Sequence, residues 1–485
     1  MAAAISLVLK ENQLPHVEHL LEIYKLAPQA LDTSATGSGK TYTTLELSRR
    51  LALPIFVVCP LAMIKKWTQL ANQFGIEILC IMTYQKLAGR KGVYSHDYLV
   101  SAGEEECFAT PTFVELTKKR PFLLVVDEVQ YGKNNTSQRS HAVWALSRAI
   151  IQHPSETKLI LLSATPFDKS SNADSMLKLL GLLLEKGYYY DRSAREFELA
   201  GAKVLWQICT VCDPEYTKHY EYPSSVKSYD EFCYQMFTKI IVPHLSSRMP
   251  PPVLDFPHDI ANGFFIFNEE ENGIIGEAKI ALKRAIKGDE ENPDGFKDFS
   301  NFVKVMQILE YGKRGGMARQ AKKVLEKDPN AKVILAAHYV DTLLYLQKEM
   351  KDYGCGLLYG DVKIDERERI IELFQQPTNT LRVLVVNPSV CGIGVDLDDN
   401  DGRFQRHLFI IPTYELIKVA QMVGRVYRAS TKSIPHTRVV YAKIFEEENH
   451  ILEVLFKKSK IVKGVTQSDE MGLFPGEYPK FVEDE

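Results

Sequence analysis

At 485 residues, with 45% hydrophobic and 25% charged side chains, the chain has the composition of an ordinary soluble protein and enough length for two or three cores, which excludes a single small domain. A formal net charge of −3 excludes a uniformly basic nucleic-acid coat but leaves room for a local stripe of lysines and arginines. The opening MAAAISLVLKENQ holds an apolar run too short to span a membrane and lacks a secretory cleavage pattern, so neither role is expected.

The first third alternates helical periodicity with short apolar runs. LPIFVVCP, IEILCIMTY, PFLLVVDE and KLILLSATP read as buried parallel strands bounded by Pro, Gly or acidic residues. From about residue 170 to 320 the pattern changes to aromatic-rich helices, a turn at RMPPPV, a strand candidate at GFFIF and charged helices, the last broken at YGKRGG, Tyr311 to Gly316. In that region Tyr188, Tyr189, Tyr190 and Trp206 are read as packing residues in preference to a strand-separating wedge. Cys209 and Cys212 form a C-x-x-C pair with no second pair to complete a zinc site. The absence of a disulfide framework points to a reducing, intracellular compartment. Strand-like runs then return at AKVILAAHY, GCGLLYG, LRVLVVNPS, RHLFIIP and TRVVYAKIF, and the chain closes on the acidic YPKFVEDE, expected to fray. The expected fold is α/β, with two parallel-sheet domains in tandem and a mostly helical insertion between them: 1–200, 201–310 and 311–465, followed by a tail at 466–485.

TSATGSGKT, Thr33 to Thr41, lies between two helical patterns. Gly37 and Gly39 let the backbone turn its N–H groups inward across Ser38, and the helix that follows offers its positive end to a phosphate. Lys40 adds a charge at the β- and γ-phosphates, and Thr41 a hydroxyl for Mg²⁺. The pattern is G-x-x-x-x-G-K-[ST] with one departure, Ser34 in place of the first Gly. FLLVVDEVQ supplies a second half, an apolar strand that ends in Asp127, suited to the metal, and Glu128, suited to aligning a water. Late in the chain, Gln421, Gly424, Arg425 and Arg428 of QMVGRVYR stand three and four apart, a helical spacing that lets both arginines face one cleft. An exposed basic helix is the alternative.

The ordered series SATGSGKT, VVCPLAMIKKW, MTYQKL, VVDEVQ, LSATP, LLYGDVKIDERERIIELFQ, VVNPSVCGIGVDL and QMVGRVYR, between about residues 12 and 445, resembles a superfamily 2 helicase motor. CPLAMIKKW, DEVQYGKNN and LSATPF resemble Swi/Snf-type translocases, and DLDDNDGRFQRHLFIIPTY is similar to helicases of large DNA viruses and some phages. The resemblance implies RecA-like domains, ATP and Mg²⁺ as cofactors, and catalysis by Lys40, Asp127, Glu128, Gln421, Arg425 and Arg428, with the arginines delivered to the γ-phosphate by the second domain. It implies that Gln130 contacts the γ-phosphate or the second domain, and that Ser163, Ala164 and Thr165 couple hydrolysis to domain closure. Where the family reads adenine with a Gln, this chain has Val17, which leaves His16 or Gln13 as the substitute. Gly392, Gly394 and Asp396 match a turn that meets nucleic-acid phosphate on one side and nucleotide ribose on the other. Lys65, Lys66 and Trp67, then Thr83, Tyr84 and Gln85, and in the second domain His338, Tyr339 and Gly360, fall on nucleic-acid contact motifs. The implied function is a nucleic-acid-stimulated ATPase that translocates on DNA, with an RNA helicase or a non-processive ATP-switched clamp as alternatives. The viral likeness implies transcription or replication partners in the host cytoplasm, the host nucleus or the virion.

Overall fold

The computed structural model describes residues 9–90, 93–102, 106–134, 136–183, 189–191, 196–198, 205–207, 210, 215, 222–223, 225–249, 254, 256–287, 299–391, 395–442, 448–467 and 481–483. Contacts divide the chain into a first unit, Met1–Pro251 with Lys460–Ser468, and a second, Pro252–Ser459 with Asp469–Glu485. Each unit is built on one large parallel sheet.

In the first unit the strands are β1 (Gln29–Asp32), β2 (Ile55–Cys59), β3 (Ile78–Thr83), β4 (Leu99–Ala102), β5 (Glu106–Ala109), β6 (Leu123–Asp127), β7 (Lys158–Leu162), β8 (Tyr189–Asp191), β9 (Glu196–Glu198) and β10 (Ser246–Ser247). The main sheet runs β10-β1-β7-β6-β2-β3, every pair parallel, while β4 with β5 and β8 with β9 form small antiparallel pairs. The four apolar runs read from the sequence are β2, β3, β6 and β7. β2 and β6 are buried along their whole length, as covered parallel strands must be. The helices that cover them are α1 (Leu14–Leu26), α2 (Lys40–Leu51), α3 (Ile64–Gln73), α4 (Tyr84–Ala88), α5 (Pro111–Lys119), α6 (Gln138–Gln152) and α7 (Ala173–Leu179). α4, α5 and α6 start where Thr83, Thr110 and Ser137 accept the N–H of the residue three positions on.

The second sheet contains β11 (Asp259–Phe265), β12 (Lys332–Ala336), β13 (Cys355–Leu358), β14 (Val383–Val386), β15 (Arg406–Ile410), β16 (His436–Ala442) and β17 (Phe481–Glu483), in the order β13-β14-β12-β15-β16-β11-β17 and parallel throughout. Of the GFFIF strand candidate, Gly263 to Phe265 form the end of β11, which begins at Asp259, and Ile266 and Phe267 lie beyond it. The tail differs from the frayed end expected, because Phe481–Glu483 hydrogen-bonds along β11 as an edge strand.

The stretch 201–310 is shared between the units. The helix Val226–Met236 belongs to the first core: Tyr229 is buried and donates from Oη to Asp174 at 2.8 Å, and Phe232 packs on Trp206 at 5.5 Å. Tyr188, Cys209 and Cys212 lie outside the described residues. The break expected at YGKRGG does not occur, and the helix Phe299–Lys327 runs through it. A Cβ on Gly316 would stand 2.6 Å from the Phe267 ring and one on Gly312 2.6 Å from Ile275, so these glycines let the helix lie directly on the segment and helix beside it. Among the described residues, no helix is long and apolar enough to cross a membrane.

Candidate active site

The phosphate loop joins β1 to α2. Gly37 and Gly39 adopt φ of 80° and 97°, left-handed values that favour glycine, and Gly39 is the residue from which α2 starts. Lys40 Nζ donates to the carbonyls of Ser34 and Ala35 at 2.8 and 3.1 Å, inside the loop that its charge would share with a phosphate. The Ser34 departure has a local cause: its buried Oγ accepts the Met249 N–H at 2.8 Å, which fastens the loop to the chain just past β10. A buried network holds the base of the loop. Asp32 Oδ1 accepts the Ser34 N–H at 2.8 Å, Asp32 Oδ2 pairs with His16 Nε2 at 3.0 Å, and His16 Nδ1 meets Ser247 Oγ at 2.8 Å. Burial pushes the Asp32 carboxyl up, but His16, Lys40 and Ser34 outweigh it and leave the carboxyl below its ordinary range.

Neither substitute for the base-reading Gln is held as a base reader. Both ring nitrogens of His16 are committed to Asp32 and Ser247, while Gln13 spans Lys10 and the loop, accepting the Lys10 N–H at 2.9 Å and donating to the Ser38 carbonyl at 3.0 Å. Val17 is fully buried in the core.

At the carboxyl end of β6, Asp127 Oδ2 accepts the indole N–H of fully buried Trp67 at 2.9 Å. Burial and the neighbouring Glu128 push the Asp127 carboxyl up to about 6 against the opposing pull of Trp67, Lys40 and Lys66. Lys40 of the phosphate loop and Asp127 therefore feel one another's charge. Glu128 sits at φ 56° and ψ 53°, a left-handed conformation unusual for a non-glycine residue and typical of strained functional positions. Gln130 Nε2 donates to Glu128 Oε2 at 2.5 Å, Ser163 Oγ donates to Gln130 Oε1 at 2.7 Å, and the Thr165 N–H donates to Ser163 Oγ at 3.0 Å. Glu128 and the SAT segment at the end of β7 are thus joined by one hydrogen-bonded chain. Ala164 lies within that segment, and Thr165 Oγ1 is buried with no hydrogen-bond partner among the described residues.

This donor set fits a nucleoside triphosphate with magnesium. Lys40 and the N-terminal end of α2 offer positive charge to phosphates, Thr41 at the start of α2 and Asp127 are oxygen ligands suited to a hard cation, and Glu128 is the nearby carboxylate.

The nucleic-acid candidates divide by exposure. Lys65 and Gln85 are exposed, and Lys66 is half-buried. Tyr84 is not available as a contact: it is 1% exposed, and its Oη donates to the carbonyls of Asp127 and Glu128 at 2.8 and 3.2 Å, so it braces the acid pair from beneath. Thr83 is occupied as the cap of α4. In the second unit the backbone N–H groups of His338 and Tyr339 are taken by buried Glu310, at 2.8 and 2.9 Å, and His338 Nε2 meets the Ile411 carbonyl at 3.1 Å. Gly360 is exposed in open space. Gly392 and Gly394 lie outside the described residues.

The last motif departs from the helical spacing expected of it. Gln421 is on the helix Leu416–Val423, which ends at Gly424, so Arg425 follows the helix in a turn and Arg428 lies just past that turn. They still converge, since both guanidinium groups reach the Val395 carbonyl, at 3.1 and 3.5 Å, and Arg428 Nε pairs with Asp396 Oδ1 at 3.0 Å. Sequence reasoning missed three supports: Trp67 as the donor to Asp127, Ser247 beneath the loop, and Ser34 as an anchor. Ser247 lies 231 residues from His16, and no local pattern announces it.

Residues 317–430 match the helicase conserved C-terminal domain. Together with the phosphate loop and paired acids of the first unit, this supports an ATP-dependent helicase or translocase, and the motifs of the chain resemble superfamily 2 motors of the Swi/Snf type and helicases of large DNA viruses. Known proteins similar to it include one of Acanthamoeba polyphaga mimivirus named "Putative ATP-dependent RNA helicase", 23% identical over 479 residues, or 94% of this chain and 83% of that one. Another is the "Probable global transactivator" of Orgyia pseudotsugata multicapsid polyhedrosis virus, 23% identical over 227 residues, 41% of this chain and 44% of that one. Similar solved structures include the Sulfolobus solfataricus SWI2/SNF2 ATPase core in complex with dsDNA, 17% identical with a TM-score of 0.34 over 96% of this chain and 94% of that one. The same core domain alone gives 17%, a TM-score of 0.33, and coverage of 95% and 92%.

Proposed function

We propose that this motor spends ATP to translocate along nucleic acid, with DNA as its track, and that it unwinds the duplex or displaces bound proteins as it moves. The observation that carries the reading is the continuous chain from Glu128 through Gln130 to Ser163 and Thr165, which ties the hydrolytic acid to the end of a second strand. A site built only to bind ATP has no need of a strained glutamate linked to a coupling segment. In the proposed reaction Glu128 aligns a water and takes its proton as the oxygen attacks the γ-phosphorus. The bond from that phosphorus to the β–γ bridging oxygen breaks, and ADP and phosphate leave. Lys40, Arg425 and Arg428 are the cations that offset the charge building on the phosphoryl oxygens. Thr41 and Asp127 would hold Mg²⁺, which would supply neutralisation of the phosphate charge.

Exposed Lys65, Gln85 and Gly360, with half-buried Lys66, are the proposed contacts to the polymer, made to phosphate and sugar, so binding should weaken with salt and carry little sequence preference. The DNA assignment rests on the Swi/Snf-like wording of CPLAMIKKW and DEVQ. An RNA track is the second reading, favoured by the name of the mimivirus protein, whose match extends over 94% of this chain. Steady-state ATPase measurements with single-stranded DNA, duplex DNA, single-stranded RNA and duplex RNA decide between them. DNA should stimulate turnover and RNA should not; stimulation by RNA alone overturns the DNA track, and no stimulation by any polymer overturns the motor reading.

A further inference from the structure

The stretch between the matched turn and β15 is bonded residue by residue to the segment that carries the two arginines. Asp396 pairs through Oδ1 with Arg428 Nε at 3.0 Å, and the Leu397 N–H donates to the Arg425 carbonyl at 2.9 Å. Asp398 Oδ2 accepts from Ser430 Oγ at 2.6 Å and from Thr431 Oγ1 at 3.3 Å. The Asp399 carbonyl accepts the Lys432 N–H at 2.7 Å, and its Oδ2 accepts from Ser433 Oγ at 2.7 Å. Four consecutive residues thus hold nearly the whole run from Arg425 to Ser433.

The clasp is itself anchored. Arg406, 1% exposed, donates to the carbonyls of Leu397, Phe404 and Asp398 and to Gln375 Oε1, while Gln375 Nε2 donates to the Asp396 carbonyl at 2.7 Å. Asp399 Oδ1 accepts the N–H groups of Asp401 and Gly402, which closes the loop that follows. Asp398 and Asp399 are each 1% exposed, so their carboxylates face inward, where hydrogen bonds of this kind hold geometry most firmly.

We propose that Asp398 is a positioning residue for ATP hydrolysis: through Thr431, whose Oγ1 also accepts the Arg428 N–H at 2.7 Å, it fixes where Arg425 and Arg428 present their guanidinium groups. This rests on the reading of those arginines as charges on the transferred phosphoryl group. A helix would have fixed them by its own repeat. Because the helix stops at Val423, their placement depends on bonds from another segment, and Asp398 is a buried carboxylate that makes two of them, to Ser430 and Thr431.

The test compares the full chain with Asp398→Ala, Thr431→Val, Thr431→Ser and Arg428→Ala, measuring kcat and KM for ATP with saturating nucleic acid, fluorescent-nucleotide affinity and melting temperature. A displacement of about 1 Å at such a site costs on the order of a hundredfold. Asp398→Ala and Thr431→Val should therefore lose about tenfold or more in kcat, with KM and nucleotide affinity moving by less than about threefold. Thr431→Ser, which keeps the hydroxyl, should restore turnover. Should Asp398→Ala melt early, the near-isosteric Thr431→Val carries the test. A large loss in Arg428→Ala with unchanged kcat in Asp398→Ala and Thr431→Val overturns the clasp alone. Unchanged kcat in Arg428→Ala overturns the reading of the arginines, and the clasp with it.

Discussion

Replacing Gly39 with alanine strikes the phosphate loop in two separable ways. At φ 97° an L-residue is strained, at a cost of about 1–2 kcal/mol. A Cβ at that position would overlap Gln13 Nε2, and Gln13 cannot retreat without giving up its bonds to Ser38 and Lys10, each worth about 0.5–1.5 kcal/mol. The two contributions sum to about 3 kcal/mol against the binding-competent loop, or roughly a hundredfold in nucleotide affinity. Titration of a fluorescent ATP analogue into Gly39→Ala, Gln13→Ala and the double variant measures the loss, with a melt as control. Once Gln13 is truncated the overlap is gone, so the second substitution should add only the strain, and the two penalties should fall short of additivity by about 1–2 kcal/mol. Strict additivity, or wild-type affinity in Gly39→Ala, would refute the proposed brace between α1 and the loop.

Other substitutions probe the remaining parts. Lys40→Ala should weaken triphosphate binding, whereas Glu128→Gln should bind normally and turn over at least about a hundredfold more slowly, near 3 kcal/mol of barrier; equal loss of binding and turnover in Glu128→Gln would contradict its role. Ser163→Ala leaves the Gln130 carbonyl and the Thr165 N–H short of a partner in a buried site, and it should lower turnover about tenfold with unchanged nucleotide affinity. Wild-type turnover in that variant would detach the SAT segment from hydrolysis. Acid should loosen the second unit. Burial holds His258 and His338 down to about 4 and His407 to about 3, each below the unfolded value near 6.5, so the unfolded chain binds more protons. Their contribution is complete above about pH 6.5 and is lost as pH falls toward 4, at about 3 kcal/mol per histidine. Glu310, pushed up to about 7 by burial, opposes this over part of the same range, one group against three. Hydrogen exchange of β15 and β16 peptides, corrected for intrinsic rate, should show protection falling from pH 7 to pH 5, and constant protection would refute the assignment.

The sequence made the strands legible wherever burial on both faces demanded an unbroken apolar run, as in Ile55–Cys59 and Val383–Val386. β1 escaped notice because Gln29–Asp32 is half polar and four residues long, although it delivers the phosphate loop. Its polar residues are buried by bonds to distant chain, Asp32 to His16 above all, and periodicity carries no trace of such partners. The nucleotide residues were legible because loop geometry and metal chemistry restrict both residue type and spacing. Tyr84 shows the limit in the other direction: its position suggested an exposed contact, while its hydroxyl is spent on the backbone of the acid pair. Arg425 and Arg428 had the spacing of a helix, but Gly424 ends the helix, and what gathers the arginines is the Val395 carbonyl and the Asp396 carboxylate.

In the proposed cycle, hydrolysis at Glu128 moves the protein along DNA. Displacement of a third strand from a triplex on duplex DNA reports movement without requiring the duplex to open. The full chain should release the third strand with ATP and Mg²⁺, fail to do so with a non-hydrolysable analogue, and lose the ability in Glu128→Gln. DNA-stimulated hydrolysis by the full chain with the third strand still bound would show that hydrolysis does not drive movement along DNA.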